Sequence, residues 1–251
     1  MTTRRYQVKP SDRNIGTANS SKGNKLHCLI TGFDAFGGDV FNPSQAIVES
    51  LPATLKLPGK GGIVPVDRLV LPTCGDLAWR KLKGRLQKLP KKSKAVVILT
   101  GLAALRPMIS VERFALNIKE YRVKDNAGCL VNGEAIDPRG PAALRTPADV
   151  KAIVKHVFSK GLFADVSNSC GTFVCNEIYF QGLRFQKAKG FPHALVFVHF
   201  PWPGKYKKRS GKPSASRVHK LTGSQSKQLL AMQKTLIEIA QFLLKQAASK
   251  T

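Results

Sequence analysis

The stretch Leu26-His27-Cys28-Leu29-Ile30-Thr31 runs directly into Gly32-Phe33-Asp34-Ala35-Phe36-Gly37-Gly38, and Asn42-Pro43-Ser44 then opens an apolar-periodic segment to about Leu51. A short apolar run of this kind suits a strand buried on both faces, and it is far too short to span a bilayer. The glycines mark a turn. Pro43 followed by Ser44 predicts a helix start with Ser44 as its cap. Buried strand, glycine turn and helix, in that order, form the opening unit of a layered α/β fold.

The same alternation recurs downstream. Gly61–Leu71 reads as extended chain ending at Pro72, and residues 75–89 as a helix with Leu77, Ala78, Leu82, Leu86 and Leu89 on its apolar side. Ala95–Thr100 and Leu195–His199 read as buried strands, and Ala164–Val166 as a short one. Helical spacing predicts Pro147–Lys160 (Val150, Ile153, Val154, Val157), Phe173–Gln186 and a long closing helix, Ser224–Ala248. Glu112–Asn126 begins with an alternation of Phe114, Leu116 and Ile118 that suits a strand with one solvated face. Asn126–Arg139, rich in Asn, Gly, Asp and Pro, reads as loop with room for a short hairpin. The pattern predicts a single three-layer α/β/α domain over residues 26–251, built on a mostly parallel twisted sheet. Residues 1–25 carry six basic residues, one acid (Asp12) and no apolar period, and read as a disordered basic arm. Their Arg-rich character also fits a mitochondrial presequence, although no amphipathic stripe accompanies it.

The chain has 251 residues, with 41 Lys+Arg against 15 Asp+Glu, a formal charge of +26 and 43% hydrophobic content. That apolar content excludes disorder along the whole chain, and no segment approaches the roughly 20 apolar residues of a membrane helix. The positive field favours anionic surfaces and nucleic acid without specifying either. The basic clusters at Lys81–Lys88, Lys91–Lys94 and Lys205–Lys212 lack the interleaved aromatics of a base-stacking surface. Nucleic-acid contact is therefore an expectation from charge alone. Five cysteines, an odd number with no apolar leader behind Arg4 and Arg5, predict reduced thiols in the cytoplasm. Cys170 and Cys175 have no second pair at ligand spacing, which argues against zinc.

Ligands of open α/β sheets bind beyond the carboxyl ends of strands, and three segments place chemically active residues there. Asp165-Val166-Ser167-Asn168-Ser169-Cys170-Gly171-Thr172-Phe173-Val174-Cys175-Asn176 takes a strand through a small-residue turn into a helix. With Thr172 as N-cap, Cys175 falls at the third helical position, where the dipole and free N–H groups favour a thiolate. Alkylation below about pH 8 is then expected to strike Cys175 first. The plain alternative is a packed core cysteine. His199 ends an apolar strand, and Glu112 opens one; a structural histidine and a simple salt bridge with a neighbouring Lys or Arg are the corresponding alternatives. A cysteine, a histidine and a glutamate at element ends can supply nucleophile, base and orienting group.

These segments, with Thr31–Gly38 upstream, resemble the pyroglutamyl peptidase I (pyrrolidone-carboxylate peptidase) family from about Leu26 to Leu243. The resemblance rests on Asn42-Pro43-Ser44, Leu71-Pro72-Thr73, Glu112-Arg113-Phe114-Ala115-Leu116-Asn117, Gly140-Pro141-Ala142-Ala143 and Gly171-Thr172-Phe173-Val174-Cys175-Asn176. It implies removal of an N-terminal 5-oxoproline from pyroglutamylated peptides, with neither metal nor cofactor, by a protein that is often a homo-oligomer. On that resemblance Cys175 is the nucleophile, His199 the general base and acid, and Glu112 the group orienting the imidazole. Phe33, Phe36, Asn42, Thr73, Val123, Phe173 and Val174 match substrate-pocket positions, and Arg122 matches an arginine near the catalytic site.

The sequence also departs from that pattern. Gly101-Leu102-Ala103-Ala104-Leu105-Arg106 stands where the family reads Gly-Gln-Ala-Gly-Gly-Arg, so Leu102 replaces a glutamine of the ring site. Lys124 replaces a proline, and Cys170 an alanine beside the nucleophile. Two rival readings follow: a family member acting on another small acyl amide, and a weakly catalytic scaffold that binds anionic partners.

Overall fold

The computed structural model describes residues 26–59, 62–90, 93–205 and 221–249. The expected basic arm, 1–25, and most of the basic stretch Lys205–Leu221 lie outside the described residues. The elements are β1 (Leu26–Phe33), α1 (Pro43–Glu49), β2 (Thr54–Lys56), β3 (Ile63–Leu71), α2 (Gly75–Lys88), β4 (Lys94–Leu102), β5 (Ser110–Glu112), β6 (Phe114–Leu116), β7 (Ala143–Arg145), α3 (Val150–Ser159), β8 (Asp165–Ser167), α4 (Val174–Lys189), β9 (Ala194–Phe200) and α5 (Gly223–Ser249).

The main sheet has the order β2-β3-β1-β4-β9-β5-β8. Strands β3, β1, β4 and β9 run parallel, β5 lies antiparallel to β9, β8 follows β5, and β2 closes the far edge antiparallel to β3. Side chains of a strand alternate between faces, and here each face has its own core. Cys28, Ile30, Val96, Ile98, Val196, Val198 and Phe200 pack against α1, α3 and α5. Leu29, Val97, Leu99, Leu195 and Phe197 pack against α2 and α4. The three-layer arrangement follows from that division. By the same parity Glu112, next to Val111, and His199, next to Val198, point to the α4 face. Gly32, next to last in β1, stands where an added Cβ would lie 2.5 Å from the Ser44 carbonyl oxygen, so only glycine lets α1 approach this closely.

Several local expectations change. Asn42, not Ser44, caps α1: its side chain accepts from the Ser44 N–H, and the Ser44 hydroxyl is buried to accept from Phe33 N–H at 3.0 Å. Asparagine is as good a cap as serine, and Pro43 at the first helical position puts the cap at Asn42, two residues before Ser44. Leu77 is 47% exposed rather than in the apolar stripe of α2. The expected strand from Glu112 is two strands. β5 joins the main sheet, Arg113 intervenes, and β6 pairs with β7 in a separate antiparallel ribbon. Within β6 the small Ala115 is buried and its larger neighbours are half-buried, the reverse of the apolar reading. Strands β2 and β7, three residues each, are too short for a period to show.

Candidate active site

The carboxyl ends of β1, β4 and β9 and the start of α4 surround a cavity of about 200 Å³. It is lined by residues of five segments: Phe33, Phe36 and Asn42; Thr73; Leu102, Ala103 and Arg106; Cys170, Gly171, Phe173, Val174 and Cys175; and His199. Of the residues expected at the site, Cys175, His199, Phe33, Phe36, Asn42, Thr73, Phe173 and Val174 meet here. Glu112 sits directly behind. Arg122 and Val123 do not join them; both are exposed and stand outside the cavity lining.

Loop 34–42 is fixed by Asp34, an acid to which no motif of the sequence assigned a role. Asp34 accepts the Thr73 N–H through Oδ1 (2.7 Å), and its carbonyl accepts from Thr73 Oγ1 (3.0 Å) and Asn42 Nδ2 (2.9 Å). Asn126 Nδ2 adds bonds to Asp34 Oδ1 and the Ala35 carbonyl. Held in this way, Phe36 packs on Phe173 at 5.5 Å between centroids, and Tyr121 closes edge-on against Phe173 at 4.7 Å.

Helix α4 delivers the thiol. Phe173, not Thr172, is the N-cap and supplies no side-chain cap bond; Thr172 Oγ1 instead donates to the Glu120 carbonyl at 2.8 Å. Cys175 is therefore the second helical residue, not the third. Asn176 fastens the same turn to β6, its Oδ1 accepting from Leu116 N–H and its Nδ2 donating to the Leu116 and Ile118 carbonyls. A Cβ on Gly101 would lie 2.8 Å from Cys175 Sγ. Gly101 is the register partner of His199 across β4 and β9. The missing side chain thus leaves room for the sulfur beside the histidine strand.

The Nδ1–H of His199 donates to Glu112 Oε1 at 2.7 Å, and Glu112 is wholly buried. The other carboxylate oxygen, Oε2, has no hydrogen-bond partner among the described residues. Arg106, unassigned by the sequence reading although it ends the Gly101–Arg106 motif, donates through Nη1 to Glu112 Oε1 and through Nη2 to the Ser169 carbonyl at 2.8 Å. Burial lowers the His199 pKa, against the pull of Glu112. Burial first, and the Glu112 charge second, push the Cys175 thiol up to about 12, outweighing its backbone N–H and Arg106. Both directions run against the resting thiolate expected at the helix mouth and favour a thiol and a neutral imidazole lining the same cavity. The cause is desolvation, which disfavours the charged form of both groups. Cys170 is buried nearby, its thiol raised well above the usual value by burial. Donor atoms of Glu112, Cys170 and His199 lie within 4.8 Å of one another, the one such group among the described residues. The Arg106 guanidinium on Glu112 opposes a cation there.

The sequence profile of the pyroglutamyl peptidase family matches residues 26–233. The chain belongs to the pyroglutamyl peptidase family. It is 35% identical over 201 residues to the pyrrolidone-carboxylate peptidase of Levilactobacillus brevis, covering 79% of this chain and 93% of that protein. With the Pyrococcus furiosus pyrrolidone-carboxylate peptidase it shares 34% over 178 residues, 70% and 81% of the two chains. The solved Thermococcus litoralis pyrrolidone carboxyl peptidase superposes with a TM-score of 0.71 at 32% identity, covering 88% of this chain and 93% of that one. Pyroglutamyl peptidase I of Bacillus amyloliquefaciens gives 0.71 at 30% identity, covering 87% and 97%. This family member therefore carries its fold over almost the whole length of its solved relatives.

Proposed function

We propose that the chain hydrolyses the amide bond after an N-terminal pyroglutamyl residue through a thioester on Cys175, with His199 as general base and acid and Glu112 orienting the imidazole. The observation that carries this reading is the buried Glu112–His199 hydrogen bond ending at a small cavity that Cys175 also lines.

A substrate ring entering the cavity excludes water and presents its exocyclic carbonyl to the sulfur. Neutral His199 takes the thiol proton as the S–C bond forms, so charge develops only when the nucleophile is needed. The imidazolium, stabilised by Glu112, then protonates the leaving amine as the C–N bond breaks. Water deprotonated by His199 attacks the thioester, and 5-oxoproline leaves with the thiol restored. Phe33, Phe36, Phe173 and Val174 give the ring its apolar walls, with Asn42 and Thr73 at the polar edge. Leu102 adds apolar surface at the expected glutamine position, so recognition of the lactam falls to the other groups. Arg122 and Val123 have no part in this reading. All five cysteines are free thiols, which fits a cytoplasmic setting. No helix among the described residues is long and apolar enough to cross a membrane.

Turnover of a pyroglutamyl coumarylamide tests the proposal. The wild-type chain is expected to hydrolyse it, and Cys175→Ser to lose about 10³-fold or more in kcat. Loss with Cys170→Ala but not with Cys175→Ser would move the nucleophile to Cys170. Wild-type turnover of alanyl, prolyl or glutaminyl amides in preference to the pyroglutamyl one would overturn the substrate.

A further inference from the structure

We infer that Arg106 is the positioning residue of this site: its planar guanidinium joins the Glu112 carboxylate to the loop leading into α4 and so holds the acceptor that His199 requires. The inference rests on the triad reading above and adds a residue that reading does not use.

A carboxylate removed from water needs a charged or strongly hydrogen-bonding partner, and Glu112 has no solvent exposure. The groups that face it are few. His199 comes from β9, Arg106 from the β4–β5 loop and Cys170 from the loop before α4. Helix α4 contributes the Cys175 thiol, whose ionisation the Glu112 charge opposes, and the hydroxyl of Tyr179, which donates to the Glu112 carbonyl at 2.9 Å. Arg106 is the permanent cation in that set. It shares the oxygen that accepts from His199 Nδ1, while Oε2 has no partner among the described residues, so the carboxylate is pinned through one atom by two donors.

The second arm of the fork fixes the sulfur side. Arg106 Nη2 donates to the Ser169 carbonyl, one residue before Cys170. The arginine backbone is itself held, since Arg106 N–H bonds to the Ala103 carbonyl at 3.0 Å and Ala103 N–H to the Phe200 carbonyl at 2.8 Å, one residue past His199. The guanidinium and the backbone of its turn together tie the segments that carry base, orienting acid and nucleophile. A lysine has the charge but not the fork. Without the guanidinium the carboxylate loses the donor that shares Oε1 with His199 and can turn away from the ring, so the Nδ1-protonated tautomer that leaves Nε2 free as base is no longer enforced.

Two measurements on the full chain test this. Steady-state kinetics of Arg106→Ala on the pyroglutamyl coumarylamide should show kcat reduced about 100-fold with KM changed less than about threefold. Added guanidinium chloride should restore about tenfold or more of the lost rate, because the arginine side chain borders the open cavity. Nitrogen-15 histidine NMR should show His199 as the Nδ1-protonated tautomer in the wild type and as a mixture in the variant. Wild-type kcat in Arg106→Ala, a loss confined to KM, or an unchanged tautomer would overturn the inference. Should the alanine variant fail to fold, Arg106→Lys decides: a kcat deficit with a mixed tautomer supports the fork, and full activity sinks it. If the wild-type chain has no pyroglutamyl turnover, the functional reading falls, while the tautomer comparison still judges Arg106.

Discussion

At Cys175 the dipole of α4 and the loss of water pull the thiol in opposite directions, and the second effect is larger. A helix N-terminus contributes about 0.3–1 kcal/mol at exposed sites, whereas burial shifts ionisable groups by up to several pKa units. The sign follows directly. A thiol raised to about 12 holds almost no thiolate at neutral pH and gains it only as pH climbs towards that value. Iodoacetamide is therefore expected to label the exposed Cys129 before Cys175 below about pH 8. Peptide mapping of labelled protein across pH checks it, and early labelling of Cys175 would restore the helix-mouth thiolate. The residue types of the triad were readable because glutamate, histidine and cysteine are conspicuous at strand and helix ends. The ionisation state was not, because it depends on what covers them.

Among the elements, the first turn of α1 shows how a cap can serve a site. Asn42 caps the helix through Oδ1, and through Nδ2 it holds the Asp34 carbonyl in the loop that carries Phe36. Asn42→Ala removes both of these and the bond that Oδ1 accepts from the Ser44 hydroxyl. It is expected to cost about 1 kcal/mol of stability and to raise KM more than it lowers kcat, because the ring wall loosens while the triad stays in place. Denaturant melts beside steady-state kinetics separate the two effects; an unchanged KM would show that the loop holds without Asn42. The longer elements α2, α3, α4 and α5 and the strands β1, β3, β4 and β9 were legible from period and turn residues, with ends displaced by a few residues. The break at Arg113 was not legible. Three-residue strands carry no period, and which sheet each joins is settled by pairing partners distant in sequence.

For the molecule as a whole, the sheet separates stability from chemistry. The face packed by α1, α3 and α5 holds no triad group, while the α2 and α4 face carries Phe197, whose ring lies 4.6 Å from that of His199. Ile239→Ala, a fully buried deletion on the first face, is expected to cost about 2–5 kcal/mol and to leave kcat/KM at its wild-type value well below the melting temperature. Urea unfolding with parallel activity assays checks this, and a kinetic defect would show coupling through the sheet. The sequence by itself determined the layered α/β class, the family and the residue types of the triad, because apolar period, turn residues and short motifs are local properties of the chain. Tertiary structure alone decided that Arg106 stands by Glu112, that Gly101 makes room for the sulfur, and that burial works against a thiolate at Cys175. Each of these depends on contacts between segments far apart in the chain and on the water those contacts exclude.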